Sequence, residues 1–342
     1  MADWYLLAPD EDSRDLAASA RAQFTALGGP VAARAAIDGA IPAADTWSTL
    51  VAGGYPDIGV PESVGGLGRL IDLVVVLEEA GRTLLTAPLL ASAVAYQAQL
   101  AAGLHRAEFR TDPGGFALAQ GTVADGRVFV DRAHVLGDPG AATVTLAIIG
   151  DDRAWVAVLD PAAAGVCALG GATVMDPSRP VRALRFAGAP VLGCQELARA
   201  QLPRALAGAR VCVAADLVGL AAGALDGAVA HVQQRTQFGA PLAAFQAIKH
   251  QLADASVAVE RARSLTYGTA LSGSGSDALL ANATAVETAT TVAGRYTQLL
   301  GAMGVTFEAD SHLYLRRAHQ SSALFGAADD LFLTAAMLAR AA

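Results

Sequence analysis

Two long helical patterns that meet at a short joint constrain the fold of this chain more than any other feature. Apolar residues recur every three or four positions over residues 213–232 and again over residues 242–265. Gly239 interrupts the pattern, and Pro241 suits the first turn of the second helix. Helices joined by about five residues pack side by side and antiparallel. The sequence therefore predicts a helical bundle in this part of the chain.

The joint carries the pattern Arg-x-x-Phe-Gly-x-x-(apolar)-x-x-x-Gln from Arg235 to Gln246. This pattern resembles a signature of the acyl-CoA dehydrogenase family, in which the joint holds the pyrophosphate and adenosine of an FAD whose isoalloxazine lies in the neighbouring subunit. A guanidinium pairs with phosphate oxygens, while aromatic and aliphatic side chains cover the rest. The alternative is an arginine that only caps its own helix. The FAD-contacting residues that the resemblance implies here are Arg235, Gln237, Phe238, Leu242, Phe245 and Ile248.

Two other segments resemble the same family. Gln298, Gly301 and Gly304 fit a Gln-x-x-Gly-Gly-x-Gly segment, with Ala302 in place of one glycine. Because this segment touches the adenosine half of the FAD in family members, the resemblance adds Gln298 and Gly301 to the cofactor residues. The glycine-rich turn at residues 61–68 precedes a helical pattern, as a similar turn does in the family's N-terminal domain.

Between the helical parts, short apolar runs separated by Gly, Asp and Pro begin near Phe116 and predict the strands of a small sheet domain. We predict a mainly α protein with an acyl-CoA dehydrogenase-like fold. It would comprise an N-terminal helical domain (residues 1–110), an abbreviated middle β-barrel or sheet domain (111–195) and a C-terminal four-helix bundle (196–342). Residues 272–276 are expected to form a short flexible link between two bundle helices.

The family's reaction removes a proton beside the thioester and passes hydride from the next carbon to the flavin, so it needs a carboxylate as base. Family members place this glutamate in a turn near the C-terminus or at the start of the helix before the joint. Those positions hold Phe325 and Ala209, so the resemblance implies no catalytic residue in this chain. Asp329 and Asp330 lie close to the first position in sequence, and a place at the start of a helix explains them more simply.

The middle domain also departs from the family. Residues 118–122 and 135–138 stand where family members carry the motifs that face the flavin ring, and they keep neither motif. The flavin-ring contacts are therefore expected to come from another chain.

Composition excludes several classes of partner and site. The formal net charge is −8 and Lys and Arg form no cluster, which argues against nucleic-acid binding. No apolar run is long enough and free enough of charge to span a membrane, because Asp216 interrupts the nearest one. The three cysteines, Cys167, Cys194 and Cys212, show no metal or disulfide spacing and are expected to be buried, in a protein of the reducing cytoplasm. No metal site is predicted.

The remaining ionisable residues have ordinary structural explanations. Glu78 and Glu79 are expected to pair with Arg82 on a solvated helix face, and Glu260 with its neighbour Arg261. The histidines without metal spacing are expected at the surface or at an interface; they are His231, His250, His312 and His319.

These observations predict a non-catalytic subunit of an FAD-dependent acyl-CoA dehydrogenase, paired in a heterotetramer with a homologous subunit that carries the catalytic glutamate. The substrate would be a CoA thioester, with a steroid side chain or another bulky acyl group. Two alternatives stay open. The chain could be a homo-oligomeric flavoenzyme that uses a different base, or a flavin-free structural or acyl-CoA-binding subunit.

Overall fold

The computed structural model of the chain describes residues 10–39, 45–137, 140–170 and 174–341. The first part is helical, and Asp10 caps its first helix by accepting a hydrogen bond from the Ser13 N–H at 2.8 Å. The helices of this part are α1 (Glu11–Ala26), α2 (Gly29–Ile37), α3 (Asp45–Ala52), α4 (Leu70–Arg82), α5 (Leu89–Ala101) and α6 (Glu108–Thr111).

A mixed sheet follows, in which β1 and β4 run parallel and the other neighbouring strands run antiparallel. Its strand order is β6-β7-β3-β1-β4-β5-β8, with β2 paired to β3. Each predicted apolar run lies within a strand. The short β2 and β6 and the mostly exposed β8 were not predicted, because none shows a clear apolar alternation. The strands are β1 (Gly114–Gln120), β2 (Thr122–Ala124), β3 (Arg127–Leu136), β4 (Thr143–Ile149), β5 (Arg153–Leu159), β6 (Val166–Ala168), β7 (Val181–Pro190) and β8 (Gly193–Ala198).

The last part is a helical bundle, so the predicted fold class is confirmed. Helix α8 lies at its centre and packs against α4, α5, α9, α10 and α11. By length and composition α8 could cross a membrane, but most of its apolar window is buried inside this protein. The elements are α7 (Leu202–Ala205), α8 (Ala207–Gln234), the hairpin β9 (Thr236–Gln237) and β10 (Ala240–Pro241), α9 (Gln246–Ser272), α10 (Gly275–Leu299), α11 (Ser311–Ser321) and α12 (Ala328–Ala341).

Glycines allow α4 of the first domain to touch α8 of the bundle. A Cβ on Gly81 would lie 1.9 Å from the Asp216 carbonyl oxygen, and a Cβ on Gly219 would lie 1.7 Å from the Glu78 carbonyl oxygen. No side chain fits at such distances, so the two helix backbones meet directly at this crossing.

Two local predictions in the bundle were wrong. Pro241 does not lie in the first turn of α9, because it ends a two-stranded hairpin and α9 begins at Gln246. The expected flexible link between α9 and α10 is a tight connection. Ser274 caps α10 by accepting a hydrogen bond from the Asp277 N–H at 3.3 Å, and Gly273 takes the left-handed conformation that ends α9.

The predicted solvated position of the two glutamates of α4 was wrong, because both are buried between helices that are distant in sequence. The predicted pair of Glu79 with Arg82 is present at 4.0 Å. Glu78 is 5% exposed and Glu79 is 3% exposed. Glu78 accepts hydrogen bonds from Arg263 of α9 at 2.8 Å, whereas Glu79 accepts them from Arg21 of α1 at 2.7 Å. Their carboxylates therefore tie α4 to α9 and to α1.

Other polar residues differ in smaller ways from the predictions. Glu260 pairs with Arg263, one helical turn away, rather than with Arg261. Of the cysteines, only Cys212 is buried, whereas Cys194 is half-buried and Cys167 is exposed. Both partly accessible cysteines lie on strands at the two edges of the sheet, where side chains have few neighbours.

Candidate cofactor and base sites

The joint between α8 and α9 projects from the bundle. Its hairpin pairs Gln237 with Ala240, and the Leu242 N–H donates to the Arg235 carbonyl oxygen at 2.8 Å. Phe238 lies at the tip with φ +53° and is 92% exposed. A left-handed conformation is costly for a bulky side chain, and no burial of Phe238 within this chain offsets that cost. The tip is thus shaped for contact with something outside the chain.

The neighbours of Phe238 hold the joint in place. Its ring lies 6.2 Å from that of Phe245, edge to face. Leu242 and Ile248 are half-buried and pack on the main apolar core. The predicted aliphatic and aromatic cofactor residues therefore form one surface, whose inner side packs on the apolar core.

Arg235 ends α8 through its backbone, because its N–H donates to the His231 carbonyl oxygen at 2.9 Å. Its guanidinium is exposed and forms no hydrogen bond or ion pair with another residue that the structure describes. A side chain that capped its own helix would bond to the last carbonyls of α8. Burial and the charge of Arg235 together lower the pKa of His231, which is half-buried in the last turn.

The second predicted cofactor segment lies at the same end of the bundle. Helices α9 and α10 run antiparallel, and Arg295 near the end of α10 donates to the Gln251 carbonyl oxygen near the start of α9 at 3.1 Å. Gln298 is exposed on the last turn of α10, and Gly301 follows it with φ +64°. The fold thus places the start of α9, the joint and the 298–301 segment close together.

The joint offers an exposed guanidinium with no partner among the described residues and, in the same short segment, two aromatic rings. These are groups that suit the pyrophosphate and adenosine end of FAD. Bound FAD would supply the hydride acceptor of a dehydrogenation. The residues that would hold its tail are Arg235, Gln237, Phe238, Leu242, Phe245, Ile248, Gln298 and Gly301.

The strand ends where family members hold the flavin ring offer no such fit. Along β1, Leu118 and Ala119 lead through Gly121 directly into the β2–β3 hairpin, without an intervening loop. On β3, Val135 and Leu136 are buried apolar residues, and Asp138 lies outside the described residues. Leu118, Ala119, Val135 and Leu136 therefore carry no hydroxyl or carboxyl group that could face a flavin.

The first base position is a packed aromatic cluster. Phe325 is 5% exposed, and its ring lies 5.5 Å from that of Phe116 on β1. The guanidinium of Arg210, on α8, lies 5.2 Å from the centre of the Phe325 ring. Ala209, at the other predicted base position, precedes Arg210 on α8 and is fully buried. Asp329 and Asp330 lie exposed in the first turn of α12.

Arg210 is a candidate functional residue, because its guanidinium is buried, and the sequence analysis did not identify it. It is 5% exposed, its Nη1 donates to the Pro203 carbonyl oxygen at 3.1 Å, and its Nε has no partner among the described residues. Burial lowers the pKa of Arg210 to about 10. No carboxylate pairs with this guanidinium in the described part of the chain, so the Phe325 ring is its main neighbour.

The base positions and the joint lie at opposite ends of α8. From Ala209 to Arg235 the helix rises by roughly 40 Å at about 1.5 Å per residue. One chain therefore cannot bring these two regions to the same point. Across the described ranges, no group of three or more His, Cys, Asp or Glu residues is arranged to hold a metal ion.

Two protein-family models match this chain, one in each of its helical parts. The acyl-CoA dehydrogenase N-terminal domain matches residues 10–107, and the acyl-CoA dehydrogenase C-terminal domain matches residues 200–336. The acyl-CoA dehydrogenase IpdE2 of Mycobacterium tuberculosis is 32% identical over 266 residues, which cover 78% of this chain and 77% of the relative.

Solved structures share the whole architecture. A variant of the Tcur3481-Tcur3483 steroid ACAD superposes with a TM-score of 0.84 at 27% identity, covering 97% of this chain and 99% of the other. A chain of the ChsE4-ChsE5 complex from Mycobacterium tuberculosis superposes with a TM-score of 0.81 at 21% identity, covering 96% of this chain and 97% of the other. The second likeness concerns the fold alone.

Proposed function

This chain belongs to the acyl-CoA dehydrogenase family, and from that premise we propose that it is the non-catalytic subunit of a heteromeric, FAD-dependent acyl-CoA dehydrogenase. Its partner would be a homologous subunit that carries the catalytic glutamate. The complex would remove hydrogen from the two carbons next to a CoA thioester.

The observation that carries the proposal is the aromatic cluster at Phe325. Proton abstraction needs a basic group within hydrogen-bond reach of the substrate. A phenyl ring buried between Phe116 and a guanidinium accepts no proton. The partner must therefore bring the base if the complex carries out the family's reaction.

The joint supports a role in cofactor binding across a subunit interface. Arg235, which has no partner in the part of the chain that the structure describes, and the exposed Phe238 lie at the opposite end of α8 from the predicted base positions. In the proposal they contact the pyrophosphate and adenosine of an FAD whose ring lies in the partner's site, together with Gln298 and Gly301.

The relatives support the substrate class and the type of assembly. One similar structure, at 27% identity, is the Tcur3481-Tcur3483 steroid ACAD, whose name joins two proteins. By analogy we propose a heterotetramer in the cytoplasm that acts on a bulky acyl-CoA, with a steroid side chain as the first substrate to test.

Expression of this chain alone and together with a homologous catalytic subunit tests the proposal. We expect a colourless, inactive protein alone, and a yellow complex that oxidises acyl-CoA when the partner is present. A yellow and active protein on its own would support a homo-oligomeric flavoenzyme with a different base. A colourless product in both preparations would support a flavin-free structural or acyl-CoA-binding subunit.

A further inference from the structure

Residues 176–179, with the sequence Asp-Pro-Ser-Arg, form a short segment of the sheet domain just before β7. This segment is buried between the sheet domain and the bundle and contains two charged side chains. Asp176 is 2% exposed and Arg179 is 8% exposed. Charged side chains are rarely buried to this extent unless they are paired.

Both charges are paired with helices of the bundle. Arg179 forms a bidentate pair with Asp216 of α8, with both Nη···Oδ distances at 2.7 Å. Asp176 accepts a hydrogen bond from the Arg317 Nε of α11 at 2.8 Å. Asp216 and Arg317 are themselves fully buried, so two carboxylates and two guanidiniums form a neutral buried group.

Further hydrogen bonds join the two pairs into one unit. Ser178 accepts from the Arg317 Nη2 at 2.6 Å and donates to Asp176. Gln320 of α11 accepts from the Asp176 N–H at 2.8 Å and donates to the Arg179 carbonyl oxygen at 2.7 Å. Nearly every polar atom of the segment is thus satisfied, which is the condition under which a buried ionic network is stable.

The unit also reaches the N-terminal domain. The Arg317 Nη1 donates to the Leu85 carbonyl oxygen at 3.0 Å, in the loop between α4 and α5. Prolines at positions 177 and 180 restrict the backbone of the segment, which lowers the entropy lost when it is held in place.

We infer that residues 176–179 act as a clasp that locks the sheet domain onto the two helical domains. The clasp consists of the four buried charges of the two ion pairs, and it keeps the three domains of this chain in one fixed arrangement. This inference does not depend on the proposed function, because it concerns contacts within the chain alone. The consequence is that opening the clasp frees the start of β7 while the bundle stays folded.

Native-state hydrogen exchange on the full chain, followed by mass spectrometry at neutral pH, tests the clasp. Asp176→Asn leaves the Arg317 guanidinium buried without its counter-charge. Because such a stranded buried charge destabilises the segment, exchange in the peptide over residues 174–190 should rise on the order of tenfold or more. Exchange in α10 should stay close to that of the unsubstituted chain.

Two further variants keep the test decisive. Asp176→Asn combined with Arg317→Met removes both charges, so exchange over residues 174–190 should return part of the way to the original rate. If Asp176→Asn does not fold, Ser178→Ala removes only the hydroxyl and should raise exchange in the same peptide by a smaller factor.

Glu196→Gln is the matched control. Its pair with Arg153 is exposed on the sheet domain and should leave exchange unchanged. Equal acceleration in α10 and in residues 174–190, or no change in either, would overturn the clasp.

Discussion

The two ends of α8 carry an arginine each, and the two arginines are in opposite environments. Arg235 at the C-terminal end is exposed and unpaired among the described residues, beside a phenylalanine that is also exposed. Arg210 at the N-terminal end is buried against a phenylalanine that is also buried. The same pair of residue types thus forms an open contact surface at one end and a closed core at the other.

This difference separates binding from catalysis within one chain. A surface can be completed by a partner or a cofactor, whereas a packed core has no room for a substrate. In the proposed function, the open end contributes to FAD binding and the closed end takes no part in proton transfer. Each prediction below changes one end of α8 and leaves the other as its internal reference.

The largest effect is expected at the closed end. Phe325→Ala should lower the free energy of unfolding by about 3–5 kcal/mol, because it leaves a cavity between Phe116 and Arg210. Chemical denaturation of the chain measures this loss. Phe307→Ala is the control, since that ring is 64% exposed and should change stability little.

In a complex with the catalytic partner, Phe325→Ala should change turnover only through this loss of stability. A fall in turnover by several orders of magnitude, with folding and FAD content intact, would show that position 325 takes part in the chemistry. The non-catalytic assignment would then be wrong.

Two substitutions at position 325 can test whether Arg210 lacks a counter-charge. Phe325→Glu should be less destabilising than Phe325→Gln by roughly 1.5–3 kcal/mol, because only the carboxylate gives the guanidinium a counter-charge, whereas the amide offers a neutral acceptor. In an Arg210→Met background the order should reverse, since the glutamate would be buried alone. Denaturation midpoints of the four variants test this. If Phe325→Glu is the more destabilising change even with Arg210 present, the guanidinium already has a counter-charge. Neither Phe325 variant should give the isolated chain much dehydrogenase activity.

At the open end, Arg235→Ala should leave stability almost unchanged and weaken FAD retention. Loss of a charge-assisted phosphate contact of about 1.5–3 kcal/mol corresponds to on the order of tenfold or more in affinity. The measurement is FAD content of the purified complex after dialysis. Arg261→Ala removes an exposed charge on α9 instead and serves as the control. Equal FAD content in both variants would argue against the predicted contact.

Phe238→Gly should separate stability from cofactor binding at the same joint. Glycine accepts φ +53° without strain, so thermal stability should hold or rise by about 1 kcal/mol. FAD retention should fall at the same time, because the exposed ring is lost. Parallel thermal unfolding and FAD measurements test this, and a loss of both would instead indicate that the ring supports the fold of the joint.

The smallest effect concerns His231 in the last turn of α8. Its pKa is lowered by burial and by the charge of Arg235, so the unfolded state binds more protons than the folded state just below pH 6.5. The stability is full above that pH and decreases as the pH falls through the window between the ordinary and the lowered pKa. In the Arg235→Ala variant the pKa of His231 should rise, as NMR titration of the imidazole would show. A pKa that does not move would place the guanidinium farther from the ring.

Much of the fold followed from local patterns. Apolar spacing over residues 213–232 and 242–265 identified α8 and α9, because helix periodicity depends only on neighbours along the chain. The fold class was implied by the resemblance to the acyl-CoA dehydrogenase family, together with the change from helical patterns to short apolar runs near Phe116. The joint was recognised from a pattern of five positions, and the structure shows it as a projecting hairpin. The cofactor residues and the domain bounds at 110 and 195 stay predictions.

Local patterns failed wherever long-range partners decide the environment. Glu78 and Glu79 were expected on a solvated helix face, yet they are buried, and α9 and α1 each supply an arginine that pairs with one of them. Arg210 looked like an ordinary helical residue, and only Phe325 from a distant turn shows its role.

The sequence by itself determined the helices and the joint between α8 and α9, since each depends on residue identity and short spacing; the absence of a glutamate at the family's base positions, Phe325 and Ala209, stays a prediction from the resemblance. Only the tertiary structure decided that Phe325 is buried under Arg210 and that residues 176–179 pair with Asp216 and Arg317. The physical reason is that burial and ion pairing depend on which segments meet in space. That meeting is set by packing over the whole chain rather than by any local pattern.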